Sequence, residues 1–146
     1  MYRYLLIMLF LFSFISSEAQ DFIGFSEDKI RKAMSTENPG FVIDEEVKND
    51  VFRYLKYYSD DERETWVIFL DDFGRCNGVR LTCDNNLIGQ KVNELNSLYK
   101  QRGNNSWSNK KRGEEISIDI KNETWFFTIT YRRTNKKASG GDNRAA

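Results

Sequence analysis

Several stretches of this chain place apolar side chains at every second position, the period of a β-strand with one buried face. In "TWVIFLDD", Trp66, Ile68 and Leu70 fall on one side and Val67 and Phe69 on the other. A strand apolar on both sides belongs in a sheet interior or under cover on each face. "VRLTC" alternates cleanly, with Val79, Leu81 and Cys83 inward and Arg80 and Thr82 outward. Ile116, Ile118 and Ile120 alternate on one arm of a hairpin, and Trp125, Phe127, Ile129 and Tyr131 on the other. A two-residue turn at Asn122-Glu123 pairs Ile120 with Trp125 and Ile118 with Phe127, so that both apolar rows share a face. "VFRYLKYY", aromatic and β-branched, reads as a further strand over about residues 51–58.

Two segments carry helical spacing instead. After Ser26, Glu27 and Asp28 suit a first turn, Ile30, Ala33 and Met34 share one face, and Asn38-Pro39-Gly40 stops the helix. In "DNNLIGQKVNELNSLYKQRG", Ile88, Val92, Leu95 and Leu98/Tyr99 follow one stripe. Asp84, Asn85 or Asn86 can cap its start and Gly103 closes it. The stretch "NNSWSNKKRG" reads as a loop with one Trp and a basic run. The expected fold is α+β and two-layer: an antiparallel sheet of about five strands with two helices on one face, in the order α-β-β-β-α-β-β. Residues 20–133 form this single domain, and residues 134–146, polar and unpatterned, read as a disordered tail.

The stretch "IFLDDFGRCNGVRLTCDNN" contains the triplet Asp72-Phe73-Gly74, which spells the magnesium-binding signature of protein kinases. The Gly-rich loop, strand lysine and His-Arg-Asp loop that such an aspartate works beside are missing from the sequence. The triplet reads as a turn. Gly74 at its first central position fits a type II′ hairpin that sets Leu70 opposite Val79 and Ile68 opposite Leu81. A longer turn with Gly74 in a left-handed bulge shifts that register. Cys76 and Cys83, on one continuous strand, would face opposite ways and lie roughly 23 Å apart. A disulfide between them needs a sharp bend at Asn77-Gly78. An exported chain favours oxidation, while the strand favours two separately buried thiols.

The first residues specify an address. Arg3 supplies a short positive region, Leu5 to Ile15 an apolar run of about eleven residues, and Ser17-Glu18-Ala19 the small residues before a cut at Gln20. That run is too short to span a bilayer, which takes about 20 residues. Residues 1–19 therefore read as a signal peptide, and the mature chain, with no transmembrane segment of its own, is expected to be exported, periplasmic or extracellular. Net charge is zero, which argues against a general nucleic-acid binder. The charge is unevenly spread: residues 20–98 carry 16 acids and 10 bases, residues 99–146 carry 11 bases and 5 acids. Mutual neutralisation across the fold is the expectation, with a basic binding patch as the other reading. The chain has no histidine, which removes His-based triads, His–Cys dyads and the usual zinc enzymes.

The acidic residues offer little chemistry. Asp71, Asp72 and Asp84 lack the spacing of a calcium loop and read as turn and cap formers. Asp60, Asp61 and Glu62, or Glu114 with Glu115, could be imagined as a glycosidase acid/base pair, but paired acids in surface turns are ordinary. Neither a cofactor nor a metal is expected. Aromatic residues make up 14% of the chain, and "FRYLKYY" with Trp107 exceeds what one small sheet face can bury. Tyr54, Tyr57, Trp107 and Trp125 are accordingly the candidate binding residues. Asn104-Asn105-Ser106 and Asn122-Glu123-Thr124 match the glycosylation sequon.

"IGFSEDKIRKAM", a Gly and Ser opening a short amphipathic helix before a meander of strands, resembles the start of small exported modules of the BamE and β-lactamase-inhibitor-protein kind. The chain is also similar to small secreted proteins of Bacteroidetes-type bacteria. The likeness covers the first helix and coarse element order, and departs where further strands follow the second helix. It implies a module without catalytic residues that docks sheet and loops onto other proteins. The expected function is thus a secreted, non-enzymatic protein-binding or envelope-accessory domain. The alternative is a small-ligand or glycan binder using a sheet face lined by Tyr54, Tyr57 or Trp125.

Overall fold

The computed structural model describes residues 19–44 and 51–134. Of the signal peptide expected at residues 1–19, residues 1–18 lie outside the described residues, as do residues 45–50 and all of the expected tail (134–146) after residue 134. A 3₁₀ turn at Ala19–Phe22 leads into α1 (Glu27–Glu37) and four strands: β1 (Phe41–Ile43), β2 (Tyr54–Ser59), β3 (Glu64–Leu70) and β4 (Cys76–Asp84). A second 3₁₀ turn precedes α2 (Ile88–Leu98), followed by β5 (Lys100–Gly103), β6 (Ser106–Lys111), β7 (Glu114–Asn122) and β8 (Phe126–Arg133). All eight strands join one antiparallel sheet in the order β1-β2-β3-β4-β8-β7-β6-β5.

The molecule is therefore mostly sheet, and the expectation of five strands with two helices on one face is wrong. The three additional strands are β1, β5 and β6. β1 has three residues, every residue of β5 is exposed, and β6 ("SWSNKK") carries one large apolar side chain. β5, a polar and basic edge strand, resists unwanted pairing and for that reason carries no hydrophobic period to read, while β1, Phe-Val-Ile, is too short to show one.

Alternation assigns the two faces. One inward row, Leu55–Ile68–Val79–Tyr131–Ile118–Trp107, crosses six strands through direct cross-strand partners. A second, Tyr57–Trp66–Leu81–Ile129–Ile120, runs beside it. Both rows are buried in one hydrophobic cluster with Phe22 and Ile23, with Ile30, Ala33 and Met34 of α1, and with Leu95 of α2. Burial at this scale is the main stabilising term of the fold.

Two turns differ from their simplest reading. The β3–β4 loop runs from Asp71 to Arg75; the Asp71 carboxylate accepts from the N–H groups of Phe73 and Arg75, and Gly74 sits at φ 70°. This is the longer, left-handed form, and it pairs Ile68 with Val79 and Trp66 with Leu81 instead of the type II′ register. A bulge follows, since Phe69 pairs with Gly78 but Leu70 with Cys76. The extra residue reverses the alternation, so Cys76 and Cys83 both face inward and are free. Gly78 sits tightly there, because an added Cβ would lie 3.2 Å from the Tyr131 carbonyl oxygen. The β7–β8 turn is also longer than two residues. It pairs Ile120 with Ile129 and Ile118 with Tyr131, which leaves Trp125 in the turn.

Candidate functional site

The inward rows are consumed by the core, so any large binding surface must come from the other face, from turns, or from cavities. On the outer face, Tyr58–Thr65–Thr82–Thr128–Lys121 form one cross-strand row. Lys56–Val67–Arg80–Thr130–Asp119–Ser106 form the next. Tyr54 and Phe69 are paired outward at one end, and the Arg80 guanidinium stands 5.8 Å from the Phe69 ring centre. Around Arg80, Thr82, Thr128, Thr130, Asp119 and Arg132 this face encloses a shallow depression of about 650 Å³. Threonine dominates its floor because a β-branched hydroxyl residue packs well on a pleated surface while keeping a donor and acceptor exposed. Arg132 pairs with Asp119 at 3.0 Å, and Arg80 presents its charge at the centre.

The four residues expected to bind divide between the faces. Tyr54 is half-buried and points outward, whereas Tyr57, an odd number of positions along, points inward and is buried. These two tyrosines cannot line one sheet face. Trp107 is 1% exposed; its indole N–H donates to Asn96 Oδ1 of α2 at 2.9 Å, so it is a packing residue under that helix. Trp125 is 84% exposed at the β7–β8 turn, and Phe126 beside it is 40% exposed. Phe73 at the β3–β4 turn is 88% exposed.

The acidic residues are explained locally. Asp71 organises its turn, and Asp84 accepts from the Asn86 N–H to cap the second 3₁₀ turn. Asp61 accepts from the Ser59 hydroxyl at 2.6 Å and from the Arg63 N–H. These bonds, the Ser59 one foremost, hold its carboxyl below the usual range. Glu114 pairs with Arg133 and Glu115 with Arg102. Among the described residues no three acidic or thiol side chains gather as a metal site. Nor is any described helix long and apolar enough to cross a membrane. The two sequon asparagines, Asn104 and Asn122, are exposed.

Charge from the two halves meets in the ion pair of Lys111 with Asp21. Near it, Phe25 lies between the Lys29 ammonium at 3.7 Å and the Arg112 guanidinium at 4.9 Å from its ring centre. The basic run of residues 110–112 therefore partly packs on α1 and its lead-in.

A second concavity lies between the end of α1 and α2, over the inward face of the sheet. It has a volume of about 210 Å³. Phe41, Trp66, Tyr99 and Tyr131 supply aromatic walls, and Leu81, Leu95 and Ile129 apolar ones. Lys91 lies 3.1 Å from Glu64 and 4.0 Å from Glu94, and the Trp66 indole N–H donates to Glu64 at 3.4 Å. Sequence reasoning missed this group. Glu64 opens a strand and Lys91 sits mid-helix; their only sequence signal is a charge beside an apolar stripe. Among known family models, curated proteins and solved structures, none matches this chain.

Proposed function

We propose that this chain is an exported, non-enzymatic module that binds a partner protein with the outer face of its sheet. The observation that carries the reading is the continuity of that face. Half-exposed Thr82, Thr128 and Thr130, with exposed Arg80 and Arg132, form a band across β4 and β8. Mixed hydroxyl and guanidinium donors with aromatic margins suit a protein surface, where a few aromatic and Arg anchors carry most of the binding energy. The apolar leader supports export, and the core occupies the inward face, leaving the outward one for recognition.

The test is a photo-crosslinking amino acid placed at position 128 on the outer face and, in a second protein, at position 93 on the exposed side of α2. The reading expects one discrete adduct from position 128 and none from position 93, with Arg80→Glu abolishing it. Equal adducts from both positions, or an adduct insensitive to Arg80→Glu, would contradict it. The outward Tyr54–Phe69 pair supports a second reading, a glycan stacked on this same face. Oligosaccharide titration that shifts only signals around Tyr54 and Phe69 would favour that reading over the protein partner.

A further inference from the structure

We propose that the cleft between α1 and the β6–β7 turn is a binding site for a phosphoryl group that carries two or more negative charges. This goes beyond the outer-face reading and is independent of it, because α1 packs on the inward face of the sheet. The cleft has a volume of about 470 Å³, and Lys29, Lys32, Lys111 and Arg112 line it together with Asp21 and Glu37. Four cations against two carboxylates leave a surplus of two positive charges. A cut before Gln20 removes none of these residues, and the α-ammonium it creates adds to the surplus.

Two further features lead from that surplus to a ligand. The first is how the cations are held. Lys111 is paired with Asp21, but Lys29, Lys32 and Arg112 make no ion pair among the described residues. Lys29 and Lys32 lie about one turn apart on α1, and Arg112 joins them from the β6–β7 turn. The Phe25 ring centre is 3.7 Å from the Lys29 ammonium and 4.9 Å from the Arg112 guanidinium. An aromatic face attracts cations, so this ring helps to hold two like charges in one place. A cleft concentrates their field on an anion.

The second feature is the backbone of Arg112. Lys111 pairs with Glu114, so Arg112 and Gly113 are the two central residues of the turn, at φ 52° and 81°. Hairpin turns with positive φ at both positions favour Asn or Gly, and an arginine there carries a conformational cost. The turn does not need arginine. An anionic ligand gains from it, since the guanidinium fork matches phosphate oxygens. A single carboxylate would be answered by Arg112 alone and leave both lysines unmatched.

The experiment is a titration of the full chain, followed by the amide NMR signals of Thr36 in α1 and Gly113 beside Arg112. Inorganic pyrophosphate is expected to give a saturable shift at about 0.1–1 mM, with acetate about 10-fold weaker or without effect. Arg112→Asn, which supplies a residue the turn favours, is expected to weaken pyrophosphate about 10-fold without lowering the urea midpoint. Lys29→Gln/Lys32→Gln, which keeps good helix formers in α1, is expected to abolish the saturable shift. Arg80→Gln, on the outer face, should leave it unchanged. Co-sedimentation with phosphatidylcholine vesicles, with and without phosphatidic acid, separates the sources of the phosphoryl group. Sedimentation that requires phosphatidic acid and is lost in Arg112→Asn assigns it to a lipid headgroup; no sedimentation assigns it to a soluble phosphorylated molecule. The proposal is overturned by no saturable shift up to about 10 mM pyrophosphate, or by acetate acting as strongly. It is equally overturned if both cleft variants bind unchanged, or if Arg80→Gln weakens binding as much as Arg112→Asn.

Discussion

The two halves of this molecule use one plan and hold their helices by different means. Each half is a helix followed by four strands, and the strand order reads the same inward from both edges. The inward partners correspond as well: Tyr57–Trp66–Leu81 in the first half stands where Trp107–Ile118–Tyr131 stands in the second. Yet α1 is seated by apolar contact, burying Ile30, Ala33 and Met34, whereas α2 buries only Leu95 and leaves Leu98 46% exposed. Half-buried Ile88 and Val92 add apolar contact, and polar tethers supplement it: Lys91 on Glu64, and Asn96 accepting from Trp107. An apolar seat fills space, and a polar tether leaves some.

The largest effect that could break this comparison is in the apolar seat. Ile30→Ala, at a fully buried position, is expected to cost about 2–5 kcal/mol in urea unfolding. A loss near that of an exposed residue would mean α1 is no better seated than α2.

Next comes alkaline pH, because both thiols and Tyr57 belong to the first half. Burial pushes Cys76 and Cys83 up from 9.0 to about 12, and burial also raises Tyr57. A folded-state value above the unfolded one means stability is intact below about pH 9 and is lost as pH rises toward about 12. Two thiols that ionise only on unfolding give a slope of about −2.7 kcal/mol per pH unit in that window. Unfolding measured at pH steps should show it, and the Cys76→Ala/Cys83→Ala double variant should flatten it. Both thiols should also resist alkylation equally in the native protein, since each is 1% exposed.

The tether should matter less than the seat. Lys91→Met strands Glu64 at a largely buried position, at an expected cost of about 1–3 kcal/mol. The paired variant Lys91→Met/Glu64→Leu should recover most of it. The smallest expected effect sharpens the comparison from the other side. Leu98→Ala in α2 should fall within about 0.5 kcal/mol of wild type.

Sequence reasoning reached the elements whose side chains commit them to a core. Ile30, Ala33 and Met34 marked α1, and the alternating Ile and aromatic residues marked β3, β4, β7 and β8. It failed where strands are held by neighbours instead of by their own apolar period. Nothing in Lys100–Gly103 says strand until β6 lies alongside it. Turn length was the other gap. A bulge at Asn77 and a long turn before Phe126 each changed a register, and the second moved Trp125 from a paired strand into solvent. Trp107 was misjudged for the same reason, since a tryptophan in a polar stretch reads as surface until α2 covers it. The binding surfaces were legible only in fragments, because cross-strand rows such as Thr65–Thr82–Thr128 join residues far apart in the chain.

The claim that the halves differ in how their helices are held is tested most directly by native-state hydrogen exchange, residue by residue. The amides of α2 should exchange through a local opening well below the free energy of global unfolding, while those of α1 and of β3, β4 and β8 exchange only with global unfolding. Equal protection of α1 and α2 at the global limit would contradict the account.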